Sequence, residues 1–497
     1  MIMSEVPVRA KILKSTWAMK KKSNGTYRAR INGRGYEQIE GQHYDGSSIH
    51  APVTNDCSVR IIMVLALMAS WFGQLVDVKA AFLNGHLDQE KEKMYLEVPE
   101  GFERFYPTNV YLLLLKALHG TKQAAMVFWK ELLKCMRDMK YQRSGADPCM
   151  YFRWFNTGLV VWLSWIDDCM VWGPEELAKV SKKEFMQRFE CEDVGDVDEY
   201  VGCKIVRDYD ENSFKFTQPV MLQSFKDEFD TKTTRTPATP AEPGSVLVKA
   251  IPEDKVGKVQ HTYYRSGVGK LLHMMRWSRP DIQNSVRDCS RQGSAPVPAH
   301  IKAMHRVMEY CMGTPERGWY LRPSRVWDGI DKDFEFIIKG VSDSDFAKCP
   351  VTRRSVSGYS TFLEDAPVSV KSAMQKTVAL SVTEAETISA VSCAQDMLYD
   401  RRVIMSLGLK VKLPMILEID NSGTIDLANS WSAGGRTRHM ESRMFFLRDL
   451  KEAGILETKW LKGTENPVDI FTKNLGGGQL IINVLSHLWE RTNTAKR

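Results

Sequence analysis

No stretch of this sequence stays apolar for the roughly 18 residues that a membrane-spanning helix needs. The longest runs, such as Val110 to Leu115, are the length of core strands. Paired cysteines are missing too. The ten cysteines, at positions 57, 135, 149, 169, 191, 203, 289, 311, 349 and 393, form no Cys-x-x-Cys pair, and none has a histidine at zinc-ligand spacing. They read as reduced, mostly buried thiols. The N-terminus carries Glu5, Arg9, Lys11 and Lys14 but no apolar segment of signal-peptide length. Internal repeats are absent. A soluble intracellular protein without membrane partners is expected.

What is present is a chain of 497 residues, 43% hydrophobic, with net charge +7. That length allows two to four domains, and that composition allows a sizeable core. The mild basicity is compatible with a polyanionic partner. Residues 1–60 are polar, with Lys20, Lys21, Lys22, Arg28, Arg30 and Arg34 clustered. Residues 61–230 alternate helical patterns with short β-prone runs. The segment from Thr231 to Gly244 holds three prolines and five threonines, which reads as a linker. Helical spacing returns over 262–320, clearest from Ile301 to Tyr310. From Phe334 the pattern is β-rich, then mixed. Strand-like Glu335–Lys339 and Met415–Ile419 flank a helix around Ala385 to Leu407. An α/β or α+β layered architecture follows.

Two apolar, aromatic arms flank Asp167-Asp168 in the stretch Gly158 to Gly173. This is the pattern of a tight β-hairpin with two carboxylates at its turn. Aspartate is common in turns, but arms this hydrophobic place the hairpin in a core, and paired carboxylates at a core edge call for a cation. A second strand, Leu75 to Val78, carries Asp77. Alone, Asp77 reads as a helix cap. Beside Asp167 it would complete a carboxylate set for two Mg2+ ions, a site suited to phosphoryl transfer.

Val76-Asp-Val-Lys-Ala-Ala-Phe-Leu-Asn-Gly85 resembles the polymerase motif that carries the first catalytic aspartate in copia-type LTR retrotransposon Pol polyproteins. Trp165-Ile-Asp-Asp168 resembles that family's Tyr-Val-Asp-Asp box. Lys116-Ala-Leu-His-Gly-Thr-Lys-Gln-Ala124 is similar to the segment lining its nucleotide pocket. Tyr27 to Gln38, continued by Ala51-Pro-Val53, is similar to its fingers segment. The resemblance implies that Asp77, Asp167 and Asp168 hold metal, and that Phe82 is a steric gate against the ribose 2′-hydroxyl. It further implies that Arg28 and Arg30 contact the triphosphate, with Lys122 and Gln123 beside the substrate. For the two arginines a solvated basic face is an equal alternative. Gly202 would lie in the segment gripping the primer terminus, or be a plain turn glycine.

The resemblance continues past the linker. Tyr264 to His273 and Arg279-Pro-Asp-Ile282 are similar to the family's connecting segment. Val341-Ser-Asp-Ser-Asp-Phe-Ala347, Gln375 to Glu386, Glu418-Ile-Asp-Asn421 and Asn466-Pro-Val-Asp-Ile-Phe-Thr-Lys473 are similar to its nuclease motifs in order. These imply Asp343, Glu386, Asp420 and Asp469 as a second metal-binding set, with Glu384 the alternative to Glu386 and Asp345 a minor alternative to Asp343. Arg436-Thr-Arg-His439 matches a further family motif.

The implied architecture is α+β and α/β multidomain: a right-hand polymerase (fingers, palm and thumb) over 1–230, a linker over 231–260 and a connection over 261–333. A ribonuclease H-like domain over 334–480 and a tail over 481–497 would follow. The implied function is RNA-directed DNA synthesis with ribonuclease H activity, using two Mg2+ (or Mn2+) per centre. RNA template, DNA primer, RNA–DNA hybrid and dNTPs would be the partners, in cytoplasm or a virus-like particle. Several positions depart from the family: His119, Thr121, Met126 and Trp165 in the first half, and Val370, Ala373, Met374 and Thr387 in the second. Lost basic groups weaken a salt-dependent grip on phosphates. The alternatives are therefore a relic that keeps the fold and nucleic-acid binding, or a metal nuclease with a scaffold. No protease signature, integrase-type zinc set or gag-type zinc knuckle is seen, so a fragment of a polyprotein or a separate reading frame is expected.

Overall fold

The computed structural model describes residues 6, 10–21, 25–87, 93–231, 236–249, 254–429 and 441–480. The Arg436–His439 motif and the 481–497 tail lie outside them. The chain forms two compact units. One joins Met1–Val59 to Trp71–Asp196; the other joins Arg60–Ser70 to Val197–Arg497.

In the first unit a six-stranded sheet runs in the order Cys191–Asp196, Phe72–Val78, Asp168–Gly173, Gly158–Trp165, Met150–Phe155, Gln142–Arg143. The β-branched and aromatic arms of the hairpin make its two central strands, nearly every residue of which is buried. Helices Ala124–Asp138 and Glu175–Met186 supply Phe128, Leu132, Met136 and Phe185 to the core on the sheet. Gly73 is needed there: a β-carbon would meet the Trp172 ring at 2.2 Å. A separate hairpin, Ser15–Lys21 with Tyr27–Gly33, carries the N-terminal basic cluster.

In the second unit, strands Glu199–Tyr200, Cys203–Asp208, Ser213–Thr217 and Trp319–Leu321 form one sheet. Residues on both sides of the expected linker thus build it. Helices Pro219–Phe229, Lys258–Trp277, Gln283–Ser290 and Pro298–Met312 bury one aromatic and methionine-rich core. Among its described residues the expected linker has no strand and turns helical only near its end, where Lys258–Trp277 begins, but it is not a free tether. Gly244 N–H donates to the Asn474 carbonyl at 3.1 Å. Asn474 Nδ2 donates to the Ser245 carbonyl, Gln292 Nε2 to that of Leu247, and His300 Nε2 meets that of Val248. Four fixed carbonyl or amide groups make 244–248 a strap.

Beyond it lies a five-stranded sheet in the order Ala366–Met374, Val356–Leu363, Ile338–Asp345, Met415–Ile419, Leu456–Trp460. The first three strands are antiparallel and the last two join in parallel, which is the ribonuclease H-like arrangement. Helix Val382–Ser406 crosses it. The crossing is close because Gly340 has no side chain: a β-carbon would lie 2.4 Å from Met397 Sδ and 2.7 Å from Cys393 Sγ. The whole is the α+β and α/β multidomain fold expected. Among the described residues no helix is long and apolar enough to cross a membrane.

Candidate functional site

The first acidic set sits on the central hairpin. Strand Phe72–Val78 pairs antiparallel with Asp168–Gly173, and Asp77 is directly opposite Asp168. Cross-strand partners share a face, so both carboxylates emerge together. Asp167 occupies the turn, after Ile166 at φ 56°, and its carbonyl accepts from Val78 N–H at 2.9 Å. Burial, then the charges of Asp167 and Asp77, push the Asp168 carboxyl up to about 6. Asp77 and Asp168 thus face each other across the strand pair, and Asp167 lies within electrostatic reach of Asp168 in the adjoining turn.

Phe82 lies in the short turn Ala81–Asn84 that follows, half-buried, with its ring 4.7 Å from that of His119. Burial holds the His119 imidazole below its usual range, with Asp167 opposing and Arg28 adding to the effect. His119 thus lies within electrostatic reach of both Asp167 and Arg28. Gly33 N–H donates to the His119 carbonyl at 2.7 Å, tying the basic strand to that segment. Arg28 and Arg30, two residues apart on the strand, share its face.

Two expected substrate contacts have other partners. Gln123 is buried: its Nε2 donates to the His43 carbonyl and its Oε1 accepts from Gln38 Nε2, each at 2.9 Å. Lys122 Nζ donates to Tyr44 Oη at 2.7 Å and lies over that ring. Gln123 is therefore a strut under the pocket. Gly202 is the left-handed second residue of a tight turn after Val201, with open space where a side chain would go; it belongs to the second unit.

The second acidic set is tighter. Asp343, Glu386 and Asp420 offer carboxylate oxygens all within 4.8 Å of one another. No other such trio occurs among the described residues. Asp343 comes from the central strand, Glu386 from the first turns of helix Val382–Ser406, and Asp420 from the residue after strand Met415–Ile419. Glu386 Oε1 accepts from Ser344 N–H at 3.1 Å and from Ser344 Oγ at 2.8 Å. Its Oε2 is buried with no hydrogen-bond partner. Burial, then Asp343 and Asp420, push the Glu386 carboxyl up to about 9. An unpartnered buried oxygen among hard carboxylate donors fits a divalent cation.

Glu384 is not in the trio. Its Oε2 accepts from Leu380 N–H at 2.7 Å, while its own N–H donates to Ser381 Oγ, so it caps the helix. Asp345 pairs with Lys348 at 2.7 Å. Asp469 opens a single 3-10 turn, Asp469–Phe471. Burial, then Asp343, push its carboxyl up to about 6. The sequence reading missed the clamp beside it. Thr472 Oγ1 donates to Asp343 Oδ2. Lys473 Nζ reaches Asp469 Oδ1 at 2.8 Å and both oxygens of Asp343 at 3.5 Å. Both residues stand in the quoted Asn466–Lys473 motif, and the four-residue spacing from Asp469 to Lys473 was the available signal.

Residues 2–243 match the family model described as reverse transcriptase (RNA-dependent DNA polymerase). The chain is 30% identical over 480 residues to the retrovirus-related Pol polyprotein from transposon TNT 1-94 of Nicotiana tabacum, covering 94% of this chain and 35% of that one. Against the corresponding polyprotein from transposon RE1 of Arabidopsis thaliana the identity is 26%, covering 94% and 31%. The chain thus spans about a third of the length of the curated relatives it matches. A solved foamy viral protease–reverse transcriptase in complex with double-stranded DNA aligns over 90% of this chain and 65% of its own, at 9% identity and TM-score 0.46.

Proposed function

As the chain belongs to the copia-type Pol family, with residues 2–243 in its reverse transcriptase region, we propose that it copies RNA into DNA at one centre and degrades the RNA strand of the hybrid at another. The observation that carries the reading is the pair of separate acidic sets, Asp77/Asp167/Asp168 on one sheet and Asp343/Glu386/Asp420 with Asp469 on the other. Mg2+ or Mn2+, bound by these carboxylates, would supply the charge that stabilises a reacting phosphate.

The residues of the chain do the rest. Phe82, backed by His119, lies against the sugar of an incoming nucleotide and excludes a 2′-hydroxyl. Arg28 and Arg30 meet its triphosphate from the basic strand. Gln123 and Gln38 hold the pocket segment in place through buried amide bonds. In the nuclease, Ser344 orients Glu386 and Thr472 orients Asp343, so neither carboxylate is free to turn away. Primer extension on an RNA template with Mg2+, run beside hydrolysis of an RNA–DNA hybrid, tests both activities. Silence in both assays from folded protein would leave a relic that binds nucleic acid.

A further inference from the structure

Lys473 is placed unusually for a lysine four residues after an aspartate. Such a pair on a surface is weak and fluctuating. Here the ammonium does not stop at Asp469, 2.8 Å away; it also lies 3.5 Å from both oxygens of Asp343. Asp343 is almost wholly buried and belongs to the trio with Glu386 and Asp420. Its carboxylate is shared: it converges with those of Glu386 and Asp420 and also meets Lys473 and Thr472. The lysine side chain is 38% exposed, so it has a way out to solvent.

We propose that Lys473 is a tethered counter-cation of the nuclease centre, which neutralises Asp343 and Asp469 in the metal-free protein and is displaced from them as divalent metal loads. The inference rests on the nuclease reading above. The physical argument is competition for the same oxygens. Four converging carboxylates repel each other strongly in a poorly solvated pocket, and the folded metal-free state needs a positive charge among them. The ammonium provides one without the cost of immobilising a free ion, at the expense of its own rotamer freedom. Its charge must then be overcome by any cation that uses Asp343 and Asp469, so loading requires more metal than the bare acids would. Thr472 keeps Asp343 oriented through the exchange, since its hydroxyl does not depend on the lysine.

Two opposite effects of one substitution follow. Lys473→Met keeps the stem and removes the charge. Without metal it should unfold at lower temperature than the native protein. With metal it should bind more tightly, on the order of tenfold, because a repelling unit charge within about 4 Å is gone. The test uses the full chain with Asp77→Asn and Asp167→Asn to silence the polymerase acids. Free Mn2+ is read by electron paramagnetic resonance and melting is followed with EDTA or Mn2+. Lys473→Arg, which keeps the charge, should bind Mn2+ as the native lysine does. Should Lys473→Met fail to fold in EDTA, Lys473→Gln takes its place. Equal or weaker Mn2+ binding by the folded uncharged variant overturns the proposal. Loss of bound Mn2+ on adding Asp343→Asn confirms that the binding belongs to this centre. If no protein of the set binds Mn2+ in a manner dependent on Asp343, the nuclease reading fails, and the proposal with it.

Discussion

Replacing Glu386 by glutamine should stabilise the metal-free protein while removing RNA cleavage. The side chain is 4% exposed, and only one of its oxygens is hydrogen-bonded. In the unfolded chain it ionises near 4.5, and in the folded metal-free protein near 9. Folding between those values therefore takes up a proton, and stability falls as pH rises above about 4.5. The loss at pH 7 cannot exceed the work of protonating the group there, about 1.4 kcal/mol for each of roughly 2.5 pH units, a ceiling of ~3–4 kcal/mol. Glutamine has no proton to take up, and its amide can donate toward Asp343 and Asp420. With part of the ceiling shared among the coupled acids, the expected gain is ~1–3 kcal/mol at pH 7. It should be near zero at pH 4.5 and larger at pH 8.5. Urea unfolding in EDTA at pH 5, 7 and 8.5 measures this. A glutamine variant less stable than the native protein, or a gain that is the same at all three pH values, would refute the electrostatic account. Saturating Mg2+ should reverse the order, since only the glutamate protein gains from the cation.

Asp420→Asn should abolish hydrolysis of RNA in a hybrid and leave primer extension within about twofold, and Asp167→Asn should do the reverse; loss of both activities from either change would mean one shared centre. Phe82→Ala should raise ribonucleotide incorporation relative to deoxynucleotide use by about tenfold or more. His119→Ala should raise it less, by letting the Phe82 ring shift; unchanged ratios in competition assays would dismiss the gate. Arg60 is buried between the rings of Trp277 and Trp319, at 5.6 and 3.7 Å, and donates to the carbonyls of Val368 and Arg276. Arg60→Met should cost ~2–4 kcal/mol in urea titration through stranded carbonyls and lost ring contact, and a change under about 0.5 kcal/mol would show that the rings alone hold the helix.

The acids were legible because their neighbours were. Asp167 and Asp168 stand between arms so apolar that only a core hairpin could hold them, and Asp77 ends a strand that such a hairpin would pair with. Glu386 is favoured over Glu384 only through the resemblance of its motif, as two glutamates in one helical turn differ only in direction. The start of the helix takes Glu384, whose carboxylate accepts from Leu380 N–H. Long-range partners were the illegible part. Gln123 is buried by Gln38, 85 residues away. The 231–260 segment has linker composition, and what fixes its described residues are backbone groups met by Gln292, His300 and Asn474, which leave no periodicity to read. The role of Lys473 is illegible in the sequence because its second partner, Asp343, lies 130 positions earlier.

The chain crosses between its two compact units more than once, since Arg60–Ser70 groups with residues after 196 while its flanks group with the polymerase sheet. Ile61 to Met68 are all fully buried. A chain ending just after Asp196 would still hold Asp77, Asp167 and Asp168. It would also leave the eight fully buried apolar side chains from Ile61 to Met68 without the residues they group with, and such a patch drives aggregation. Under the proposed function, a gene copy truncated there would not keep copying after losing the second centre.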